Sequence, residues 1–453
     1  MTEKTEAGRK VAKARLVAKG YQDEDAASVR TDSPTCSKEG LKMALAIIAT
    51  NKLKVNALDI KTAFLQSQKM DRPVFLVPPI EAKFRKDHIW KLNKCVYGLN
   101  DASRQWYLTM KEELIKYGAE VSKYDEAIFT WHLNGKLHGV ISTHVDDLMW
   151  GGSKVFKVSV IDKLKAKFKV KTEESVEFRY LGLDVEQRDG YIALSQNDYV
   201  RKLDYLPAPE KLSDEPLSPR EETLIRQANG KLNWIATQTR PDLSFDVSEC
   251  NSIMKRGKME CFRQVNKNIK KAKMEKSQIF IPSLESLRDL SIVGYSDASF
   301  ANLDDGGSQG GYIIFVVGRN GNYFPLHWQS KRIRRVVKST QAAETLAMVD
   351  LAEACVYYRK LICDLLRIDP LEVKIICKTD NSGMHFSTHS STQILDKRLR
   401  IEMAILREMI AKKEIDDITW VPSENQVADI FTKRGVPSHK VLRHLMSTKA
   451  IKG

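Results

Sequence analysis

A chain of 453 residues is too long for one hydrophobic core, because single cores stop growing near about 250–300 residues, so we expect at least two domains. Hydrophobic residues make up 42% of the sequence and no run approaches the roughly 18 apolar residues that span a bilayer, so we expect a soluble globular protein. The 73 Lys and Arg exceed the 58 Asp and Glu by 15 charges, which favours a polyanionic partner such as nucleic acid or an anionic membrane surface.

The cysteines and the first residues bear on cellular location. None of the seven cysteines stands in a CxxC pair and no histidine has zinc-ligand spacing, so we expect reduced, mostly buried thiols. Residues 1–13 are polar and charged and lack the apolar segment of a secretion signal. The sequence therefore predicts a cytoplasmic or nuclear location.

Two segments that carry aspartates stand out in residues 1–205, which mix short apolar strands with basic helices. An apolar run from Leu53 ends at Asp59, and Phe64 follows five residues later. Residues 137–152 form two apolar runs that meet at Asp146 and Asp147, which predicts a hairpin with two carboxylates at its tip. Because Mg²⁺ prefers oxygen ligands, and two such ions can hold the attacking and leaving oxygens of a nucleotidyl transfer, these carboxylates indicate that chemistry.

Each of these signals alone has a simpler interpretation. An Asp-Asp pair is most often a solvated turn, and the chain has two more pairs, at residues 304–305 and 416–417. Phe64 taken alone is a core residue on a short helix. The functional alternative places its ring under the sugar of an incoming nucleotide, where it would exclude a 2′-hydroxyl and select deoxynucleotides.

A connector and a helical region follow. Residues 206–220 hold four prolines among charged residues and predict an extended connector. Residues 221–275 have apolar residues at helical spacing and predict a small thumb or connection region. A further boundary is expected near Pro282.

The last 170 residues predict an α/β domain with the element order β-β-β-α-β-α-β-α. Asp297, Glu344, Asp380 and Asp429 stand at element ends, and Ser339 or Thr340 is placed to cap the helix that bears Glu344. Four converging acids would repel each other unless metal ions neutralise them, and two Mg²⁺ here would activate water for attack on a phosphodiester. This order of elements and acids resembles the ribonuclease H fold and its four-carboxylate site.

Five ordered motifs in the first part of the chain resemble those of copia-type reverse transcriptases. They are Lys13–Tyr21, the Asp59 segment, Lys94–Trp106, His144–Asp147 and Arg179–Val185. Four segments of the last part also stand where the family's motifs stand: Tyr295–Phe300, Ala342–Leu346, Thr379–Ser382 and Val427–Lys433. The resemblance is to the reverse transcriptase and ribonuclease H region of Ty1/copia-type Pol polyproteins and runs from about Lys10 to Lys433.

The resemblance implies an α+β right-hand polymerase, with fingers, palm and thumb, followed by an α/β ribonuclease H-like domain. Its implied domains are residues 1–205 for fingers and palm, 206–282 for the thumb or connection, and 283–453 for ribonuclease H. In the palm, Asp59, Asp146 and Asp147 would surround two Mg²⁺, with Mn²⁺ as an alternative. Lys13 and Arg15 would grip the triphosphate, since their charges can neutralise phosphate oxygens; the alternative for both is a solvated basic strand.

Three residues depart from the family pattern: Asp101 replaces a usual Gln, Ser103 a usual Pro, and His144 a usual Tyr or Phe. Asp101 matters most, because a carboxylate in this substrate-binding position would repel a triphosphate unless a cation intervenes. His144 can still stack or hydrogen-bond beside the primer end. By this resemblance we also expect the sequence to start inside the fingers, and its motifs include neither an aspartic protease nor an integrase motif.

The expected function is RNA-directed DNA polymerase with ribonuclease H activity. The expected partners are an RNA template, a DNA primer, the RNA–DNA hybrid and deoxynucleoside triphosphates, with self-association or an integrase partner left open and no membrane. Virus-like particles in the cytoplasm, or the nucleus, are the expected locations. Basic runs at residues 267–273, 331–338 and 397–400 are either solvated faces or contacts to phosphates. Two rival hypotheses stand: a non-catalytic nucleic-acid-binding remnant, and an enzyme with ribonuclease H activity only.

Overall fold

The structure is a computed structural model whose backbone is divided into two units. It describes residues 2–6, 9–13, 15–84, 87–207, 215–254, 257–274, 276–391, 394–435 and 446, with side chains described from Arg15 onward. The first unit combines Met1–Ser37 with Val55–Ser175, and the second combines Lys38–Lys54 with Val176–Gly453. Within the described ranges, no helix is long and apolar enough to cross a membrane.

The secondary structure of these residues is as follows. The helices are α1 (Lys38–Thr50), α2 (Ala102–Lys116), α3 (Lys154–Phe156), α4 (Asp162–Lys167), α5 (Asn197–Arg201), α6 (Pro219–Gln238), α7 (Ser244–Met254), α8 (Glu260–Met274), α9 (Thr340–Leu366), α10 (Ser382–His389) and α11 (Lys397–Ala411). The strands of the first unit are β1 (Thr2–Glu6), β2 (Arg9–Lys13), β3 (Asn56–Ile60), β4 (Phe75–Leu76), β5 (Trp90–Lys91), β6 (Glu120–Val121), β7 (Ile128–Leu133), β8 (Lys136–His144), β9 (Asp147–Gly152) and β10 (Val170–Ser175). The strands of the second unit are β11 (Glu177–Tyr180), β12 (Leu183–Arg188), β13 (Tyr191–Ser195), β14 (Gln278–Pro282), β15 (Ser291–Ser299), β16 (Ser308–Val317), β17 (Tyr323–Ile333), β18 (Lys374–Thr379) and β19 (Asp417–Trp420).

The first unit is built on an antiparallel sheet with the strand order β10-β3-β9-β8-β7-β6. Trp106, Met110 and Leu114 recur every four residues along α2 and are buried in the core beside this sheet. Because the ring of Phe156 lies against Gly139 and Gly152, which face each other across β8 and β9, a Cβ at either glycine would come within 2.3 Å of that ring. These two glycines therefore allow the ring to pack directly on the sheet backbone.

The second unit begins with an antiparallel sheet in the order β11-β12-β13-β14. Its last strand, β14, follows the predicted helical region in sequence. β14 pairs with β13, which the sequence places in the polymerase domain together with β11 and β12. The structure thus divides the chain after Ser175, whereas the sequence places a boundary at residue 205. The three functional domains at 1–205, 206–282 and 283–453 stay a prediction.

The helical region predicted for residues 221–275 consists of α6, α7 and α8, which share one buried core. Pro219, interpreted as part of an extended connector, instead stands at the first position of α6, where its missing N–H costs nothing. Ser218 caps this helix and exchanges hydrogen bonds with Glu221 in a capping box. Part of the predicted connector, residues 208–214, lies outside the described residues.

The last sheet has the order β17-β16-β15-β18-β19, with three antiparallel strands followed by two parallel ones. α9 packs against its central strand β15, and Ser339 caps α9 by accepting a hydrogen bond from the Ala342 N–H. The predicted order of elements is close to the observed one, but α10 was not predicted and the final helix is a 3-10 helix, Val427–Phe431. This is the ribonuclease H-like topology, and it confirms the predicted fold class for the last domain.

Helix α1 belongs to the second unit and carries charges into its core. The Lys42 ammonium is buried, lies 4.0 Å from the ring centre of Trp328 and donates to the Leu326 carbonyl at 2.9 Å. The Glu39 carboxylate lies 2.5 Å from Nδ1 of His327. Burial by itself would raise the pKa of Glu39, but His327 and the neighbouring lysines lower it to about 2. All seven cysteines are buried and none forms a disulfide, as predicted.

Candidate active sites

Three acids meet at the centre of the ribonuclease H-like sheet. Asp297 lies on β15, Glu344 on α9, and Asp380 directly follows β18, which is parallel to β15. One carboxylate oxygen from each of the three lies within 4.8 Å of the others. Asp297 and Glu344 are 1% and 5% exposed, so the acids are held together in a poorly solvated place.

Oxygen atoms in this cluster have unused capacity to bind a cation. Oδ1 of Asp297 and Oε2 of Glu344 are buried and accept no hydrogen bond from the described residues. Asp380 accepts from the Ser423 hydroxyl at 2.8 Å and from the Gln426 amide at 3.3 Å. An all-oxygen donor set with unsatisfied buried members fits Mg²⁺ or Mn²⁺.

The pKa of Glu344 reports how strongly these acids interact. Burial, and then the charges of Asp297 and Asp380, raise the pKa of Glu344 well above its usual value. Two like charges in a site that excludes water disfavour ionisation of both. A bound divalent cation would reverse this effect, because it favours the ionised carboxylates.

Asp429, the fourth predicted acid, lies next to this group on the 3-10 helix Val427–Phe431. The ammonium of Lys433 lies 3.2 Å from Asp429 and 3.5 Å from Asp297, and the Thr432 hydroxyl donates to Asp297. Burial, followed by the charge of Asp297, raises the pKa of Asp429 to about 7 in spite of Lys433. Sequence reasoning missed Lys433 as a site residue, although it closes the Val427–Lys433 motif.

The polymerase acids lie at the end of the β8–β9 hairpin in the first unit. Asp59 on β3 is directly opposite Asp147 on β9, and Asp146 forms the hairpin turn. The Asp146 carbonyl accepts from the Ile60 N–H at 2.9 Å, which holds the turn beside β3. Burial, then the charges of Asp146 and Asp59, raise the pKa of Asp147 to about 6. The structure therefore brings the three predicted carboxylates into mutual electrostatic range.

The Asp59 carboxylate is paired with Lys171, which the sequence did not predict. The register of β10 against β3 shifts between Val170 and Thr172, so Lys171 occupies a β-bulge. A bulge re-aims the side chain it carries, and here it brings a lysine onto a neighbouring strand's aspartate. Sequence periodicity does not predict such a shift in strand register.

The predicted substrate-binding residues lie around Tyr97. The Arg15 guanidinium lies 4.7 Å from the centre of the Tyr97 ring. The ring of Phe64, which is half-buried, also contacts Tyr97, and the centres of these two rings are 4.8 Å apart. Burial and the nearby Asp146 raise the pKa of Tyr97, which places this ring within electrostatic range of the carboxylates. The side chain of Lys13 lies outside the described residues. The roles of Lys13, Arg15 and Phe64 stay predictions.

Asp101 is buried and paired, which bears on the expected repulsion of a triphosphate. Arg72 donates to Asp101 through Nε at 3.1 Å and Nη2 at 3.2 Å, and to Asp23 through Nη1 at 3.0 Å and Nη2 at 2.7 Å. These two carboxylates raise the pKa of Arg72. Arg72 is therefore a cation that can offset the repulsion expected between Asp101 and a triphosphate. The substrate-binding role of Asp101 stays a prediction.

His144 lies on β8 opposite Asp147 and is half-buried. Desolvation lowers the pKa of its imidazole, and its buried Nδ1 has no hydrogen-bond partner among the described residues. A neutral imidazole at this position is consistent with the predicted place beside the primer end, which stays a prediction.

The fold and the two acid sites define a polymerase followed by a ribonuclease H-like domain. Residues 1–204 match the family model described as reverse transcriptase (RNA-dependent DNA polymerase). Ty1/copia-type Pol polyproteins are homologues of this chain over most of its length, so the resemblance predicted from the motifs is confirmed.

Two relatives show the extent of the match. The retrovirus-related Pol polyprotein from transposon RE1 of Arabidopsis thaliana is 27% identical over 444 residues, which are 93% of this chain and 29% of the relative. A putative transposon Ty5-1 protein of Saccharomyces cerevisiae is 27% identical over 312 residues, which are 63% of this chain and 96% of the relative. The chain thus spans less than a third of the length of the plant relative.

Two solved structures illustrate the structural similarity that was found. A foamy viral protease-reverse transcriptase in complex with an RNA/DNA hybrid is 10% identical, with a TM-score of 0.49, and the match covers 88% of this chain and 46% of that chain. RNase H1 from Halobacterium salinarum is 20% identical, with a TM-score of 0.24, covering 31% of this chain and 94% of that chain. The fold class stated above rests on strand order and on the positions of the acids.

The raised pKa of Asp429 predicts a dependence of stability on pH. A carboxyl whose pKa rises on folding destabilises the folded state as the pH increases from about 4, its unfolded value, to about 7. In EDTA, we expect Asp429→Asn to be more stable than the wild type at pH 8 by roughly 1 kcal/mol after allowance for solvent screening. Thermal unfolding at pH 5 and pH 8 checks this, and an advantage of the variant that does not grow with pH would contradict it.

The Arg72 pairing predicts a coupled loss of stability. Arg72→Met leaves two largely buried carboxylates without their cation and should cost about 3 kcal/mol. Because Asp101→Asn removes one of those charges, the double variant should lose at least about 1 kcal/mol less than the sum of the single losses. Urea unfolding followed by circular dichroism measures the cycle. Additive losses would show that the two residues are not coupled.

Proposed function

We propose that the chain is an RNA-directed DNA polymerase with ribonuclease H activity, which copies retrotransposon RNA into DNA and cleaves the RNA of the resulting hybrid. The observation that carries this proposal is the presence of two separate carboxylate centres in one chain, one at the β8–β9 hairpin and one at the middle of the β15–β18 pair. The reverse transcriptase match over residues 1–204 supports the first activity. The ribonuclease H-like topology supports the second.

In the polymerase centre, Asp59, Asp146 and Asp147 would hold two Mg²⁺. The ions supply charge that stabilises the attacking 3′ oxygen and the departing pyrophosphate. Asp147 must be ionised to bind a metal ion. Although its pKa is raised to about 6, most of the carboxyl is still ionised at neutral pH. Lys171 holds the Asp59 carboxylate in place on β3 and would have to share it with the metal. Arg15 and Lys13 would neutralise phosphate oxygens, and Phe64 would exclude a ribose 2′-hydroxyl.

In the nuclease centre, Asp297, Glu344, Asp380 and Asp429 would hold the ions. Two Mg²⁺ supply an activated water and a counter-charge for the leaving 3′ oxygen. Ser423 and Gln426 fix the orientation of Asp380 by hydrogen bonds, and Thr432 does so for Asp297. Glu344 on α9 is 5% exposed, so its carboxylate would bind an ion from the buried side of the cluster.

We also propose substrates, cellular locations and partners for the protein. An RNA template, a DNA primer, their hybrid and deoxynucleoside triphosphates are the substrates, and the net charge of +15 suits such polyanions. Virus-like particles in the cytoplasm, and the nucleus, are the proposed locations, with self-association or integrase as further partners. The match covers 29% of the plant Pol relative, and the proposal extends to no activity of the rest of that relative.

A second candidate is an enzyme with ribonuclease H activity only. It is favoured by the difference between the two centres: among the described residues, the group of three or more potential metal ligands whose ligand atoms lie within 4.8 Å of one another is Asp297, Glu344 and Asp380, in the nuclease centre. The pairing of Asp59 with Lys171 adds to this difference. A third candidate is a non-catalytic remnant that binds nucleic acid, which is motivated by the departure from the family pattern at Asp101.

Matched variants separate these candidates. Primer extension on a homopolymer RNA template with Mg²⁺ should fall by roughly 100-fold or more in Asp147→Asn, since about 2.7 kcal/mol of barrier corresponds to 100-fold. Cleavage of a labelled RNA–DNA hybrid should fall similarly in Asp380→Asn, and each variant should retain the other activity.

The controls decide between the rivals. Equal extension by the wild type and Asp147→Asn would overturn the polymerase assignment. Hybrid cleavage that requires Asp380, together with no extension by any variant, would select the nuclease-only candidate. Binding without either activity would select the remnant.

A further inference from the structure

Helix α8 presents a basic face to solvent. Its apolar residues Phe262, Val265 and Ile269 are buried against α6 and α7, which turns the opposite face outward. That face carries Lys267 and Lys270, both exposed, with Arg263 one turn earlier. Helical spacing of three and four residues aligns these cations in one row.

A cavity of about 430 Å³ lies between this helix, the start of α7 and the segment after the last 3-10 helix. Five cations and two carboxylates line it: Lys267, Lys270, Lys271, Lys433, Arg434, Asp242 and Asp246. Both carboxylates are paired, Asp246 with Lys271 at 2.6 Å and Asp242 with Arg240 at 2.8 Å. Two of the cations are paired as well, Lys433 with Asp429 and Asp297, and Arg434 with Glu249. The positive charge that the cavity offers to an incoming ligand therefore lies chiefly on the exposed Lys267 and Lys270.

Lys433 connects this cavity to the nuclease acids. Its ammonium lines the cavity and lies 3.2 Å from Asp429 and 3.5 Å from Asp297. A polyanion that fills the cavity would thus continue directly toward the carboxylates that are proposed to cut a phosphodiester. This contiguity favours a nucleic acid over an acidic protein as the occupant.

We propose that the cavity is a subsite for the sugar–phosphate backbone of the strand that is cut, a short distance from the scissile bond. Lys267 and Lys270 bind its phosphates, and Lys433 lies between these phosphates and the acids. The subsite is supplied by α8, which is not part of the ribonuclease H-like sheet, so the helical region takes part in substrate binding by the nuclease. This inference rests on the proposed ribonuclease H function.

The test compares two double variants of the full chain, K267Q/K270Q and the control K231Q/K360Q. The control removes the same charge from exposed lysines on α6 and α9 that do not line the cavity. Each variant is made in the wild type and in the inactive Asp380→Asn background. Exposed substitutions of this kind usually change stability little, and thermal unfolding verifies that both variants fold.

Binding of a labelled RNA–DNA hybrid in the inactive background is measured from 50 to 200 mM salt. Loss of two phosphate contacts should reduce the slope of log K against log salt by about 1–2 in K267Q/K270Q, and the control should keep the wild-type slope. In the active background, KM for hybrid cleavage should rise in K267Q/K270Q while kcat stays within about twofold.

Unchanged slope and KM in K267Q/K270Q, with cleavage that still requires Asp380, would overturn the subsite and leave the nuclease assignment intact. Failure of the wild type to cleave would overturn the nuclease assignment, and the salt slope would still decide whether the lysines bind the hybrid. Two competitors of equal charge, polyglutamate and a nucleic acid, are also compared. If polyglutamate displaces the hybrid as effectively as the nucleic acid does, the subsite is overturned, because the cavity would then be a general anion site.

Discussion

Repulsion between carboxylates is the constraint on which both centres depend. Asp297, Glu344 and Asp380 have oxygens within 4.8 Å of each other in a place that excludes water, and the raised pKa of Glu344 expresses the cost of that arrangement. The sheet holds the acids there because parallel β15 and β18 run side by side and α9 crosses them. Apolar residues would pack in this place without repulsion between charges. A fold that keeps the acids together although they destabilise it therefore indicates a function for the cluster.

Lysines moderate the same repulsion in each unit. Lys433 contacts Asp429 and Asp297, and Lys171 pairs with Asp59 from a β-bulge. Arg72 does the same for Asp101 in the first unit. The pattern explains how the chain keeps a buried carboxylate where the family usually has Gln: Arg72 neutralises the charge of Asp101 within the protein.

The seven candidate acids could be picked out from the sequence because periodicity reveals the strands and helices around them, and because motifs of the family surround them. Asp297 and Glu344 lie inside β15 and α9 rather than at their ends. The metal-binding roles of the seven acids stay predictions. The predicted α9 cap at Ser339 and the helices of residues 221–275 are confirmed for the same reason. Lys171 was missed because a bulge breaks the period of β10, and Arg72 because it lies 29 residues from Asp101 in sequence. The grouping of α1 with the second unit does not follow from the sequence, because it depends on tertiary partners that bury Lys42 and Glu39.

Titration of the chain with Mn²⁺ by calorimetry, with electron paramagnetic resonance to count bound ions, tests most directly whether two independent metal centres exist. The account predicts that Asp147→Asn removes the binding of one centre, that Asp380→Asn removes the other, and that the double variant loses both. Equal Mn²⁺ stoichiometry in the wild type and in all three variants would contradict it.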